Sequence, residues 1–208
     1  MNTDGLNPFT VLLFAGAVLA AGTLFVLYAI ARFTKRESLA RIALHVLLGG
    51  AAVYVVLLLI GSVTSRSRVL EPGQEKHICE IDCHLAYSVA AAKSESLAGG
   101  LIRHVVTVKV RFDEKTISPS RPRTATLRPN RRYVALVDDA GNQYPGSTDG
   151  LTRPLIPGES YTTDIAFEVP MKATGLRLIL RNADPESHVI IGHENSPLHG
   201  KTTFRLPA

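Results

Sequence analysis

The hydrophobic residues of this chain are concentrated in two long runs within the first third of the sequence. The first run covers about residues 8–31 and the second covers residues 42–63, and neither contains Lys, Arg, Asp or Glu. A helix needs about 20 apolar residues to cross roughly 30 Å of hydrocarbon, and both runs meet that length. The pattern therefore predicts a transmembrane helical hairpin over residues 1–63.

A cleaved signal peptide is the alternative for the first run, but it requires a basic N-terminal region and a shorter apolar core. The first ten residues contain Asp4 and no Lys or Arg. The segment between the two runs contains Glu37 and four basic residues: Arg32, Lys35, Arg36 and Arg41. With two spans, we expect a multi-pass protein of the inner or plasma membrane. Because short basic loops stay in the cytoplasm, its N-terminus and C-terminal domain are both expected outside the cytoplasm.

His45 lies about one turn inside the second run. An ionisable residue within the membrane is a functional hypothesis by default. Neither run contains an acidic or cationic partner, so we expect the imidazole to bond a neighbouring backbone carbonyl.

From residue 64 onward the chain is rich in turn residues, and short stretches alternate between apolar and polar side chains. The alternation is clearest in residues 101–113, where Val106, Val108 and Val110 share one face. Further strand regions are predicted at 77–90, 131–145 (a hairpin), 161–170, 175–183, 187–194 and 201–206. This pattern predicts an all-β antiparallel sandwich over residues 77–208, joined to the helices by a linker at 64–76. One or two helical turns are an alternative for residues 85–100.

Several motifs occur in a recognisable order between residues 77 and 206: VTVKVRFDE, LVDDAGNQY, LIPGES, FEVP and LRLIL. This order resembles that of bacterial extracytoplasmic immunoglobulin-like domains of unknown function, which are carried on lipoproteins or membrane anchors. The resemblance implies an immunoglobulin-like sandwich, a hairpin at Asp138, Gly141 and Tyr144, and a turn at 157–158 before a core strand that ends at Pro170. It transfers no catalytic residue. The membrane hairpin and the segment HICEIDCH depart from the family pattern.

The formal net charge of +5 is not concentrated on one predicted face, which argues against nucleic-acid binding. The sequence has no nucleotide-binding loop, no G-x-S-x-G motif and no spacing typical of a catalytic triad, so we expect no enzyme and no cofactor. One segment, residues 120–132, is rich in arginine: Arg121, Arg123, Arg128, Arg131 and Arg132. These side chains would suit anionic phospholipid headgroups or an acidic glycan, or else form a solvated connection between strands.

The segment HICEIDCH admits three interpretations. In an oxidising compartment Cys79 and Cys83 form a disulfide, which requires a turn because residues four apart in a strand lie about 13 Å apart. The pattern Cys79-x-x-x-Cys83-His84 is one residue longer than the usual haem-attachment motif. His77, His84 and the two thiolates would also suit zinc or copper. The expected extracytoplasmic location favours the disulfide.

A second histidine-rich segment lies near the C-terminus and contains His188, His193, Glu194 and His199. It lacks the H-E-x-x-H pattern, because Pro197 stands where the second histidine would be. We therefore expect it to shape a hairpin rather than to bind a metal.

Together these features predict a membrane-anchored binding or structural module outside the cytoplasm. Its expected partners are the lipid bilayer and another envelope protein, or a second copy of itself. The alternative is a redox or electron-transfer protein that uses Cys79, Cys83 and His84.

Overall fold

The fold comes from a computed structural model, which describes residues 2–4, 8–79, 83–118, 120 and 122–207. It contains two long helices, α1 (Pro8–Phe33) and α2 (Glu37–Val63). The first strands in chain order are β1 (Asn2–Thr3), β2 (Arg68–Leu70), β3 (Lys76–Ile78), β4 (Leu85–Leu97) and β5 (Leu101–Phe112). The remaining strands are β6 (Arg132–Val137), β7 (Gln143–Pro145), β8 (Ser160–Pro170), β9 (Arg177–Asn182) and β10 (Thr202–Arg205).

The two predicted apolar helices are present, and each is long enough to cross a membrane. Their 26 and 27 residues correspond to about 40 Å at 1.5 Å per residue. Only 0% and 11% of their most apolar segments are buried within the protein, so neither is the core helix of the sandwich. Helix α2 begins at Glu37, earlier than predicted, and the Glu37 carboxylate pairs with Arg32 at 2.6 Å across the turn. The connection therefore shortens to residues 34–36.

The rest of the described chain forms a sandwich of two five-stranded sheets, as the alternating pattern predicted. One sheet has the order β1-β3-β4-β5-β8 and the other β2-β10-β9-β6-β7. Their facing side chains form one continuous core, which includes Tyr87, Phe112, Phe167, Leu180 and Phe204. The prediction of purely antiparallel sheets was wrong, because β1–β3 and β2–β10 pair in parallel. These are the two pairings made by the segments that flank the helices.

Three segments differ from the sequence prediction. Strand β4 excludes the helical alternative, since it pairs with β5 from Leu85 to Leu97, with one irregularity between Val89 and Ala91, and buries Tyr87 and Val89. The predicted strand at 187–194 is instead a short 3₁₀ turn (Pro185–Val189) followed by irregular chain, in which Gly192 has a φ of +79°. The predicted linker at 64–76 is not a free connection, because it contains β2 and the first residue of β3.

One end of the sandwich contacts the helices, and we call it the helix-side end. Cys79, the segment after β9 and the chain leaving α2 all lie there. Strand β5 also ends at this side, since the Asp113 N–H donates to the His84 carbonyl at 2.8 Å. Strand β6 begins at the same side, because Arg132 is opposite Asn182, the last residue of β9.

Candidate functional site

The two cysteines are joined in a disulfide, as expected. Their Cα atoms lie 4.1 Å apart, so the chain between them turns rather than extends. Cys79 is buried and packs with Ile190 against Val11 and Phe14 of α1. In this state both sulfur atoms are bonded to each other, and neither is a free thiolate for haem attachment or metal binding. The disulfide instead stabilises the contact between α1 and the sandwich.

The two histidines of the segment HICEIDCH have separate partners. His77 Nε2 lies 3.2 Å from the Asp113 carboxylate, whereas His84 Nδ1 lies 2.6 Å from the Thr116 hydroxyl. The His84 ring also stacks on Phe112. Within the described part of the chain, no three groups of the metal-binding types converge. The structure therefore does not bring these two histidines and the cysteines together as one ligand set.

Asp113 is the centre of an ionic network at this corner of the sandwich. Arg111 binds the Glu75 carboxylate with two hydrogen bonds of 2.6 and 2.7 Å and lies 3.2 Å from Asp113. Burial alone would raise the pKa of Asp113, but hydrogen bonds from Arg111, His77 and the Lys115 N–H outweigh it and lower the pKa to about 2. The Asp113 carboxylate is therefore ionised whenever the network is formed at neutral pH.

The predicted arginine patch is only partly available to a ligand. Arg132 is buried, with its Nε donating to the Tyr87 hydroxyl at 3.0 Å, so its inclusion in an exposed patch was wrong. Burial follows from the alternation of β6, which turns Arg132 inward with Val134. The exposed members are Arg123, Arg128 and Arg131, and Arg121 lies outside the described residues. Because β5 ends and β6 begins at the helix-side end, the connection that carries these arginines starts and finishes there.

The expected bond of His45 is present. Its Nδ1 donates to the Arg41 carbonyl at 2.6 Å, one helical turn earlier in α2. This bond gives the Nδ1 atom of the imidazole a partner within its own helix.

A buried lysine that the sequence does not mark connects the two sheets and also forms an ion pair. Lys76 is fully buried, and its Nζ donates to Glu194 Oε1 at 2.5 Å and to the Leu180 carbonyl of β9 at 2.7 Å. Lys201 Nζ donates to the backbone carbonyl of Glu194. Burial and the neighbouring cation Arg181 lower the pKa of Lys201. No local signal marks Lys76 as buried, because its acidic partner lies 118 residues later in the chain.

Asp4 has a similar role immediately before α1. The Cys79 N–H donates to its carboxylate at 3.1 Å, and His193 Nε2 lies 3.5 Å from the same oxygen. The Glu194 N–H donates to the Asp4 backbone carbonyl at 2.9 Å. Asp4 thus connects the N-terminal strand, the disulfide and the C-terminal histidine segment. Asp4, Cys79, His193 and Glu194 are all buried.

The end of α2 is held by the same C-terminal segment. The Tyr54 hydroxyl donates to the Val189 carbonyl at 2.8 Å, and the Gly200 N–H donates to the Ser65 hydroxyl at 2.6 Å. Gly200 also approaches the chain so closely that a Cβ there would lie 2.5 Å from the backbone of Arg66 and Ser67. The histidine segment was expected to shape a hairpin; it instead packs between the sandwich and both helices.

A polar cavity of about 390 Å³ opens beside this contact. Thr64, Arg66 and Arg68 line it from the chain that leaves α2, and Asp4, Glu194 and His199 line it from the opposite side. We treat this cavity and the buried ionic groups behind it as the candidate site.

Comparison with known proteins identifies no family for this chain. No protein-family model and no curated protein matches this chain. Two solved structures resemble it: an uncharacterised β-sandwich protein from Clostridium difficile 630 and a conserved hypothetical protein from Bacillus anthracis. The first has 10% identity and a TM-score of 0.39, covering 69% of this chain and 96% of its own. The second has 16% identity and a TM-score of 0.35, covering 53% and 93%. Likenesses this weak carry no inference about function.

Proposed function

We propose that this protein is a membrane-anchored module that holds a β-sandwich in a fixed orientation outside the cytoplasm. The observation that carries the proposal is the double attachment of the helices. The strand before α1 joins one sheet and the strand after α2 joins the other. A flexible tether would need a long free linker at one of these points, whereas here four residues separate each helix from a paired strand.

The proposed orientation is supported by charge. The turn between the helices, with its flanking residues, carries Arg32, Lys35, Arg36 and Arg41, a pattern typical of a cytoplasmic loop. The N-terminal flank has no Lys or Arg. A disulfide close to the other ends of the helices is consistent with an oxidising compartment on that side.

The proposed relationship to immunoglobulin-like domains is supported by two local features. Asp138 accepts hydrogen bonds from the Asn142 N–H and the Tyr144 hydroxyl within the β6–β7 hairpin. Gly158, with a φ of +84°, forms the turn before β8, which ends at Pro170.

We propose strand β8 as the surface that binds a protein partner. It is 11 residues long and lies at the edge of its sheet, where β5 is its one partner strand among the described residues. A long edge strand offers unpaired backbone groups to which an extended segment of another envelope protein can add as a further strand. Its outward side chains include Thr162, Asp164 and Glu168, which keep the edge soluble until a partner binds.

Topology is tested with a reporter that is active only in the cytoplasm. Fused after Ala208, it should give no signal, whereas the same reporter inserted at Lys35 should be active. Activity at the C-terminus together with silence at Lys35 would reverse the proposed orientation.

Partner binding is tested by placing a photo-crosslinking residue at Thr162 in intact cells. The matched control places it at Lys93, which is also exposed but lies on β4 inside the sheet. We expect a discrete crosslinked protein from Thr162 alone. Equal yields from both positions, or none from either, would contradict the assignment to β8.

A further inference from the structure

One side of helix α2 carries a regular row of apolar side chains that α1 and the sandwich leave exposed. Its positions are spaced alternately by four and three residues: Ile42, Val46, Gly49, Val53, Val56, Ile60 and Val63. We call these seven positions the α2 stripe. All of its side chains apart from Gly49 are between 52% and 67% exposed.

The α2 stripe differs from the rest of the helix in residue type as well as in exposure. It contains six of the seven Val and Ile residues of α2, all except Val55, and none of the leucines between residues 44 and 59. A β-branched side chain has essentially one χ1 rotamer in a helix, so it loses little conformational entropy when it packs. Such residues at the core positions of three successive seven-residue repeats are typical of a helix that pairs with another helix.

The sandwich leaves the α2 stripe free because it contacts a different side of the helix. The Tyr54 hydroxyl donates to the Val189 carbonyl, and an added Cβ at Gly61 would lie 3.1 Å from the Ile191 side chain. The sandwich therefore lies beside the last ten residues of α2. At about 100° per residue, these two contact positions point about 100–180° away from the outer half of the stripe. A second helix can thus approach the stripe without displacing the sandwich.

The outer part of the α2 stripe lies at a level that does not suit lipid. Glu186 and His188 are exposed in the 3₁₀ turn that ends at Val189, the residue bonded by Tyr54. Because an exposed carboxylate is unfavourable in hydrocarbon, this level lies at or beyond the edge of the hydrocarbon layer. The stripe continues outward from this level over residues 56–63, where a packed helix would remove its apolar side chains from water.

We propose that the α2 stripe binds the α2 helix of a second copy of this chain, parallel and in register. A second copy presents the same seven-residue repeat over the same length, held at the same height by the same sandwich contacts. A partner whose span ends after about 20 residues at the bilayer surface would leave the outer part uncovered. The two helices cross at about 20°, as is usual for this repeat. Gly49 allows them to approach closely, since an added Cβ there would meet nothing within 4 Å.

The size of the contact explains why the pairing needs the membrane. The stripe is about 32 Å long and one helix diameter of about 10 Å wide, so each copy buries about 300 Å². That area is at the transient end of interfaces in solution. A bilayer strengthens the pairing because it gives both copies the same orientation and height. In this respect the inference rests on the proposed membrane anchoring, but not on which side of the membrane the sandwich occupies.

The test measures association of the full chain in liposomes of dioleoyl phosphatidylcholine. Copies carry a donor or an acceptor fluorophore after Ala208, and flotation with the liposomes first checks the anchoring. We expect energy transfer that rises with the protein-to-lipid ratio, exceeds the level of random proximity and falls when unlabelled chain is added. Transfer at the random level in chains that float would overturn the proposal and leave the anchoring intact. Chains that do not float would overturn both.

Truncation variants assign the contact to the α2 stripe. V53A/V56A/I60A removes three stripe side chains and should weaken association about tenfold or more. The matched control L48A/V55A/L59A removes three exposed apolar side chains from a neighbouring face and should associate like the native protein. Alanine favours the helix, so both variants keep α2, which far-ultraviolet circular dichroism verifies. Equal association of the two variants would overturn the assignment to the stripe.

Charged variants at the outer end of the stripe test its orientation and register. In a parallel pair in register, residue 63 of one copy meets residue 63 of the other. V63E alone and V63K alone should each associate weakly, because like charges meet. An equal mixture of V63E and V63K should associate about fivefold more tightly than either alone. A mixture no tighter than the separate variants would overturn the parallel arrangement.

Discussion

The substitution Lys76→Met tests the buried pair of Lys76, on β3, with Glu194, in the segment between β9 and β10. The pair is completely removed from solvent, since the side chains of Lys76 and Glu194 are 0% and 3% exposed. Methionine fills most of the volume of the lysine but leaves the Glu194 carboxylate without its cation. Breaking a buried pair on one side costs about 3–5 kcal/mol, because the remaining charge stays desolvated. The Leu180 carbonyl also loses its 2.7 Å donor.

The assay is urea unfolding of the full chain in non-ionic detergent, followed by near-ultraviolet circular dichroism of the tyrosines. Tyr87 is fully buried in the sandwich core and therefore reports on its packing. We expect K76M to lower the free energy of unfolding by about 3 kcal/mol or more. The control K93M makes the same substitution on the exposed face of β4 and should change it by less than about 0.5 kcal/mol.

A second variant identifies the unpaired charge as the cause. K76M/E194Q replaces the carboxylate by a neutral amide, so it should recover part of the stability lost in K76M. The reasoning is refuted if K76M and K93M have the same stability. It is also refuted if the double variant is no more stable than K76M.

Three further predictions concern the helix-side end. Gly200→Ala should destabilise the protein by about 1–3 kcal/mol in the same assay, because its Cβ would overlap the backbone that leaves α2, whereas Gly22→Ala has open space and should not. The pKa of Asp113 is lowered by folding, so its contribution is complete above the unfolded value and is lost as pH falls from about 4 to 2; D113N should remove that part of the acid dependence. Non-reduced peptide mass spectrometry should show two hydrogens fewer across residues 77–93, and C79S/C83S should lose about 2 kcal/mol, the value for so short a loop. A mass increase matching haem, or free thiols, would contradict the last prediction.

The sequence by itself determined the main architecture, because the signals for it are local. A run of apolar residues defines a helix long enough to cross a bilayer whatever surrounds it. Alternation in residues 101–113 defines a half-buried strand, since side chains on a strand face opposite sides in turn. The disulfide and the hydrogen bond of His45 also followed from residues close together in the chain.

Only the tertiary structure decided which polar residues are buried and which segments pair. Lys76 looks like an ordinary surface lysine until Glu194 supplies the charge that makes its burial tolerable. Asp4 and Arg132 are also buried, through hydrogen bonds with the Cys79 N–H and the Tyr87 hydroxyl, which lie 45 or more positions away. The parallel pairings of β1 and β2 likewise depend on where the helices return the chain, and short polar segments carry no periodicity that would reveal them. The polar cavity exists because the fold brings the segment before α1, the chain after α2 and residues 192–202 to the same side of the sandwich.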